Sequence, residues 1–227
     1  MMDLSALILA DSRFPGGGHV HSGGLEEVVA RKLVTSVRDL PGFLSGRLRT
    51  AGFLAAVFAA AAAHAAARSV AGGHWTRLDL ELDARTPSLA QRAASRAQGR
   101  GTARAGRIAW PSPVLEGLLA ETPRPHHPIV LGALVGVAGG SPYDAAMAAA
   151  YLSVSGPASA AVRLLGLDPF AVNAVVARLD LASVCAAAAA VAGDDPAMLP
   201  SPGSPALDLF AEAHARHHQE EVRLFAS

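Results

Sequence analysis

Alanine places the strongest constraint on how this chain can fold. It supplies 50 of the 227 residues, and eleven of the 17 residues from 51 to 67 are alanine. Alanine has the highest helix propensity of all residues, whereas strands favour β-branched and aromatic residues. Aromatic residues make up only 5% of the sequence, and apolar and polar residues nowhere alternate for more than a few positions. These features predict an all-α fold.

Proline and glycine indicate where the helices begin and end. Proline in a first helical turn, as at Pro41 and Pro169, is typical of a helix start, and the pair Gly72–Gly73 is typical of a helix end. We predict one all-α domain over residues 1–227, a bundle of about nine or ten Ala-rich helices, with one helix over 169–192. Three further segments are a Gly-rich N-terminal bend (11–24), a Pro/Ser/Gly linker (199–205) and a C-terminal tail helix (207–225).

Composition and charge exclude several classes of protein. With 51% hydrophobic and 17% charged residues, the chain is too apolar for an intrinsically disordered protein. Nineteen basic and nineteen acidic residues give no net charge, which argues against general nucleic-acid binding. The single cysteine, Cys185, excludes an internal disulfide framework and a multi-cysteine metal site.

The apolar segment 51–67 raises the question of a membrane span. It is shorter than the roughly 20 residues that a transmembrane helix needs, and alanine has little tendency to enter lipid. We therefore expect a buried Ala-rich helix there. The short apolar stretch at 4–10 follows Asp3 rather than basic residues, so we predict no signal peptide and expect a cytoplasmic location.

The motifs that could carry catalysis are incomplete. Gly16, Gly17 and Gly18 are not followed by the Gly-Lys-Ser/Thr of a phosphate-binding loop. Ser22 lacks the spacing and the neighbouring strand of a nucleophile elbow, and Cys185 lies in an apolar helix, where a thiol packs rather than reacts. We expect a binding or scaffold protein and not an enzyme.

Two groups of histidines could bind a metal ion. His214, His217 and His218 share one face of the tail helix, where two imidazoles could hold Zn²⁺ or Ni²⁺. His19 and His21 lie in the Gly-rich bend, whose backbone freedom would allow a ligand pair. The alternatives, which we favour, are a solvated helix face and structural hydrogen bonds in the bend. A helical nickel or zinc carrier is therefore the second hypothesis for this chain.

A stripe of basic residues follows one predicted helix, and no acidic residue lies between positions 83 and 116 to neutralise it. Arginine pairs with carboxylates through two parallel N–H groups, which favours an acidic protein surface as the partner. A plain solvated face and a nucleic-acid backbone are the alternatives, and no aromatic residue interleaves with the stripe to stack on bases. The stripe consists of Arg92, Arg96, Arg100, Arg104 and Arg107.

Five short segments, in a fixed order along the chain, carry a family resemblance. The first runs from Leu7 to Glu26 and contains Asp-Ser, a Pro-Gly-rich bend and Ser-Gly-Gly-Leu-Glu. The other four are Ala94-Ser95-Arg96 with Gly99-Arg100, His127-Pro128-Ile129-Val130-Leu131-Gly132, Ala160-Ala161-Val162-Arg163-Leu164, and His214 with Arg223-Leu224-Phe225 and Ser227. Together they resemble the UreF family of urease accessory proteins, over essentially the whole chain.

The resemblance implies a non-enzymatic, all-helical adaptor that forms a homodimer. Such an adaptor works with UreD, also called UreH, and with the GTPase UreG, and their assembly loads nickel into apo-urease in a GTP-dependent step. Nickel and GTP would be handled by the partner proteins, with no cofactor bound stably by this chain.

The matched motifs also imply which residues bind partners. The bend would shape a partner surface, two arginines would pair with carboxylates within the chain or across an interface, and the tail would dock into UreD. Residues 165–170 lack the glutamines common in the family, and Ala226 stands where a second arginine is common. The implied residues are Asp11, Ser12, Pro15, Gly16, Gly17, His21, Ser22, Gly24, Glu26, Arg96, Arg100, Arg223, Leu224 and Phe225.

Overall fold

The computed structural model describes residues 3–16, 22–68, 70 and 72–224, and from residue 218 onward it describes the backbone alone. Over these residues the chain is all-helical and contains no strand, which confirms the predicted fold class. The α-helices are α1 Leu4–Ala10, α2 Leu25–Ala30, α3 Leu40–Arg47, α4 Phe53–Ala67, α5 His74–Ala84, α6 Leu89–Ala109, α7 Pro113–Glu121, α8 His127–Val137, α9 Pro142–Leu165, α10 Pro169–Ala177, α11 Leu181–Ala190 and α12 Pro205–Leu224. A π-helical turn, Leu48–Gly52, joins α3 to α4, and a 3₁₀ turn covers Pro196–Met198.

The described part of the chain holds twelve α-helices, more than the nine or ten expected. The prediction of a single helix over 169–192 was wrong, because α10 ends at Ala177 and α11 begins at Leu181. The side chain of Asp180 accepts a hydrogen bond from the backbone N–H of Ser183, 3.1 Å away, and so caps a new helix. A further helix, α7, lies between two proline-rich turns; Ser112 caps its first turn.

Helix α4 lies at the centre of the core. Eleven of its residues, including Val57 and Phe58, are buried, which confirms the buried Ala-rich helix expected at 51–67. Helix α8 crosses α4 closely: a Cβ added at Gly132 would overlap the backbone of Ala59, and one at Gly136 would overlap that of Ala63. Glycine at these two positions therefore permits a helix–helix approach that any side chain would prevent. Helices α9 and α11 cover the rest of α4.

Two helical stretches of the described chain are long and apolar enough to cross a membrane by length and composition. They are Leu40–Ala67, with a mean hydropathy of 1.6, and Pro142–Leu165, with a mean hydropathy of 1.3. In the folded chain, 67% of the first window and 56% of the second are buried inside the protein. Their apolar surface is therefore largely covered by neighbouring helices.

Local sequence explains how α9, the longest helix, is held. Ser141 and Asp144 form a reciprocal capping box at its start. The Asp144 carboxylate also accepts the backbone N–H of Asp3 at 3.2 Å, which ties the start of α1 to α9. Gly166, with a φ of 62°, ends the helix in the left-handed conformation.

Candidate partner-binding surface

A groove of about 1290 Å³ lies between the N-terminal bend, α6, the middle of α9 and the first half of α12. Apolar side chains line it, among them Leu7 of α1, Phe14 of the bend and Leu152 of α9. Helix α12 adds Leu207 and Phe210. Segments far apart in sequence therefore meet here, among them the bend and the tail helix that the family resemblance singles out.

Most described residues of the bend face this groove. Asp11, Ser12, Gly16, Ser22 and Gly24 line it, as does Glu26 of α2, while Pro15 is exposed. Gly17, His19 and His21 lie outside the described residues.

The bend is held against α6. A Cβ added at Gly16 would lie 2.7 Å from Thr102 Oγ1, and one at Gly101 would lie 3.1 Å from the Gly16 carbonyl oxygen. Both glycines thus allow close contact between the two segments. At the start of the bend, hydrogen bonds from the Arg13 side chain lower the pKa of Asp11 to about 2, so its carboxylate stays charged.

The tail helix packs on α2 through two histidines. His214 Nε2 lies 3.8 Å from Glu26 Oε2, and His217 Nδ1 lies 3.4 Å from Glu27 Oε2. Glu27 is buried and also accepts a hydrogen bond from Arg31 Nε at 2.7 Å. His214 and His217 therefore face carboxylates of α2, and the side chain of His218 lies outside the described residues. Over the described side chains, no three His, Cys, Asp or Glu residues gather in a group that could hold a metal ion.

The tail helix also contacts the beginning of α6. Glu212 Oε1 accepts hydrogen bonds from Ser88 Oγ at 2.6 Å and from the Ala90 backbone N–H at 2.9 Å. These bonds satisfy a free N–H of the first turn of α6 and lower the pKa of Glu212. Gln91 donates to Asp208 at 3.1 Å. The tail helix is thus tied to α6 by polar contacts of α12 side chains.

A buried polar cluster joins α5, α6 and the start of α8. The Arg96 guanidinium lies 2.8 Å from both Asp79 Oδ2 and Asp83 Oδ2 and also donates to the carbonyl oxygen of Arg124. His126, only 1% exposed, places Nε2 2.8 Å from Asp83 Oδ1. Arg96 thus pairs with carboxylates within the chain.

The hydrogen bonds of this cluster define the state of His126. Its Nε2 donates to the Asp83 carboxylate, so Nδ1 accepts from Ser95 Oγ at 3.0 Å, and Ser95 Oγ in turn accepts the His127 N–H at 3.3 Å. Burial lowers the pKa of His126 although the Asp83 hydrogen bond opposes it. For Asp83, burial acts to raise the pKa, but hydrogen bonds from His126 and Arg96 outweigh it and the pKa is lowered. The cluster therefore contains a neutral imidazole beside a charged carboxylate.

The arginine stripe divides into two groups in the structure. Arg92, Arg96 and Arg107 form ion pairs within the chain, with Arg107 bound to Glu116 at 2.7 Å. Arg100 and Arg104 are exposed and take part in none of the ion pairs of the described residues. Of the predicted tail residues, Arg223 and Leu224 fall within α12 by their backbone, and Phe225 lies outside the described residues.

The sequence did not single out Arg47, a partly buried residue. Pro157 lies inside α9 and has no N–H, so the carbonyl of Ser153, four residues earlier, lacks its helical donor. Arg47 Nε donates to that oxygen at 2.7 Å, and Nη1 donates to the Gly23 carbonyl at 2.6 Å. A proline inside a helix was the available signal, but the sequence does not indicate which donor replaces its N–H.

Comparison with known proteins identifies the family. The UreF family model matches residues 34–180. The chain belongs to the UreF family. It is 46% identical over 221 residues to a urease accessory protein UreF from Mycobacterium sp. (strain JLS), and 45% identical over 222 residues to one from Mycolicibacterium vanbaalenii; each alignment covers 97% of both chains. It is 42% identical over 229 residues to the Mycobacterium bovis BCG protein of the same name, covering 100% of both chains. The similarity to these UreF proteins thus includes the bend and the tail helix.

Proposed function

We propose that this chain is a non-enzymatic adaptor in urease maturation, which joins UreD (UreH) and the GTPase UreG to apo-urease. The observation that carries the proposal is the 42–46% identity, over nearly the full length, to proteins named urease accessory protein UreF. An accessory role is a supporting one, and we therefore assign the chemistry of maturation to its partners.

The geometry of the groove supports a role in protein binding. The bend and the tail helix, the two regions to which the family resemblance assigns partner contacts, line one continuous groove. Arg100 and Arg104 supply exposed positive charge on α6, the helix that forms another wall. Arginine pairs strongly with carboxylates, so an acidic face of a partner fits this helix.

In this proposal nickel is the cargo of the assembly and GTP is the substrate of UreG. The adaptor binds neither as a resident cofactor and acts in the cytoplasm, where nickel is inserted into apo-urease.

We further propose that the adaptor is a homodimer within the complex. Phe170, at the start of α10, is 85% exposed, and Leu164, near the end of α9, is 43% exposed. Large exposed apolar side chains, and aromatic ones above all, are common on surfaces that another protein covers.

The test is co-purification of this chain with UreD and UreG from the same source in the presence of GTP, with the mass measured by light scattering. We expect a defined complex that contains two copies of the chain. A monomer that binds neither protein would contradict the adaptor function. Stoichiometric Ni²⁺ binding by the isolated chain, lost on His→Ala substitution, would favour the metal-carrier hypothesis instead.

A further inference from the structure

The guanidinium of Arg47 carries a positive charge with two carbonyl oxygens as its partners. The bonds to Ser153 and Gly23 use two of its five N–H groups. The two hydrogens on Nη2 and the second hydrogen on Nη1 have no acceptor among the described residues. Desolvation lowers the pKa of Arg47 to about 10, so the side chain is still protonated at neutral pH.

The carboxylates that share the groove with Arg47 are engaged elsewhere. Glu27 binds Arg31 and lies beside His217, and Glu26 lies 3.8 Å from His214. Asp208 accepts from Gln91. Over the described residues no carboxylate oxygen comes within the 4.0 Å of an ion pair with Arg47. The partly buried guanidinium therefore keeps a positive charge that no carboxylate of the described residues pairs with, and an anion that reaches it gains a charge-assisted hydrogen bond.

The groove gives an anion access to this charge. Arg47, Gly23, Ser153 and Pro157 all line it, and its volume of about 1290 Å³ accommodates a small molecule or an inserted side chain. The position of Arg47 is fixed by its bonds to two carbonyl oxygens. Its guanidinium also lies close to Gly23, because a Cβ added there would lie 2.8 Å from Arg47 Cζ. A fixed guanidinium with spare N–H groups matches a carboxylate in charge and geometry.

We propose that Arg47 anchors a carboxylate-binding site in the groove between the bend, α9 and α12. The ligand is either a free small carboxylate or an Asp or Glu side chain inserted by another protein. The site itself does not depend on the proposed function. Two measurements distinguish a free carboxylate from one that a partner protein supplies.

The first measurement is calorimetric titration of the full chain with formate and acetate, at ionic strength held constant with chloride. If the ligand is a free carboxylate, we expect saturable binding of one anion per chain. Arg47→Lys should weaken it by about tenfold or more, since an ammonium group offers no planar fork. The matched control is Arg38→Lys, an exposed arginine outside the groove, which should leave the binding unchanged.

The second measurement is the affinity of the chain for UreD and UreG. If a partner supplies the carboxylate, acetate will not bind, and Arg47→Lys will weaken the complex by about tenfold or more while Arg38→Lys will not. If the wild-type chain forms no complex, the adaptor function is contradicted. The carboxylate site is then tested by acetate binding alone. Wild-type complex formation that is unaffected by Arg47→Lys, together with no acetate binding, overturns the carboxylate site.

Arg47→Lys also removes hydrogen bonds that hold Gly23 and Ser153, so its folding is checked by thermal melting. If it does not fold, nuclear magnetic resonance of the wild-type guanidinium groups replaces it. The Arg47 N–H groups bonded to carbonyls should exchange slowly with water, and their resonances should shift on addition of acetate or on complex formation. The proposal is overturned if the Arg47 resonances shift neither with acetate nor on complex formation.

Discussion

His126 shows how single polar residues hold this helical protein together. Its backbone N–H donates to Asp79 at 3.0 Å, and its two ring nitrogens bond to side chains of α5 and α6. Gly99 makes room for it, since a Cβ there would overlap the backbone of the turn before α8. The neutral imidazole therefore contributes to stability only while it remains unprotonated.

The free energy of unfolding should therefore depend on pH through His126. In an unfolded chain histidine takes up a proton as the pH falls through about 6.5, whereas burial lowers the pKa of His126 in the folded chain. The unfolded state then binds more protons, so the free energy of unfolding falls below about pH 6.5, by up to about 1.4 kcal/mol per pH unit.

Urea unfolding of the wild type and His126→Gln between pH 5 and 8 measures this dependence. The stability difference between the two proteins should be largest near pH 8 and shrink towards pH 5. Two parallel curves across this range would show that His126 does not titrate as its surroundings indicate.

At the scale of elements, the crossing of α8 over α4 should tolerate no added side chain. Gly132→Ala places a methyl group against the Ala59 backbone, and such overpacking costs about 1–3 kcal/mol or more. Gly117, an exposed residue of α7, has no heavy atom within 4 Å of an added Cβ. Gly117→Ala is the matched control and should stabilise by about 0.5–1 kcal/mol. Thermal unfolding compares the two variants, and equal melting temperatures would contradict the close crossing.

The tail helix should detach locally when Glu212 is changed. Glu212→Ala removes the bonds to Ser88 Oγ and the Ala90 N–H, while the main core does not include this contact. We expect faster amide hydrogen exchange across 205–217 with a melting temperature within a few degrees of the wild type. Glu116→Ala, which removes the surface pair with Arg107, is the control and should leave exchange in α12 unchanged. Unaltered exchange in Glu212→Ala would mean that apolar contacts alone hold the tail.

Sequence patterns predicted the elements whose signals are local. Asp168 before Pro169 gave the start of α10, and the alanine run gave α4, because capping and propensity act over a few residues. The break at Asp180 was missed, since aspartate also occurs within helices and its capping role depends on the fold. Arg47 was missed for a stronger reason: it lies 106 positions from the carbonyl that it satisfies.

At the scale of the whole molecule, the two arginines of α6 that form no ion pair with the described residues should govern assembly rather than folding. Arg100→Glu with Arg104→Glu reverses two exposed charges, so we expect an unchanged melting temperature and weaker binding to UreD and UreG, most clearly at low salt. Arg38→Glu with Arg178→Glu, two exposed arginines elsewhere, controls for net charge. Equal weakening by both pairs would indicate a general charge effect and not a docking face on α6.

The candidate surface could be predicted from sequence in part. The bend and the tail helix were identified from motifs. That both line one groove depends on the positions of α6 and α9, which the motifs do not indicate. The stripe of five arginines was identified as a unit, and only the fold shows that Asp79, Asp83 and Glu116 neutralise three members. Spacing along a helix predicts which face a residue takes, but not which neighbouring helix covers that face.

The central position of α4 has a consequence for synthesis of the chain. Helix α4 ends at Ala67, whereas α8, which packs most closely on it, begins at His127. At about 5–20 residues per second, the ribosome needs on the order of 3–12 s to reach the first residue of α8. During this interval the stretch Leu40–Ala67, with a mean hydropathy of 1.6, lacks the later helices that bury it. We therefore expect the nascent chain to bind chaperones and membrane-targeting factors, and slower translation of residues 68–137 to prolong that binding.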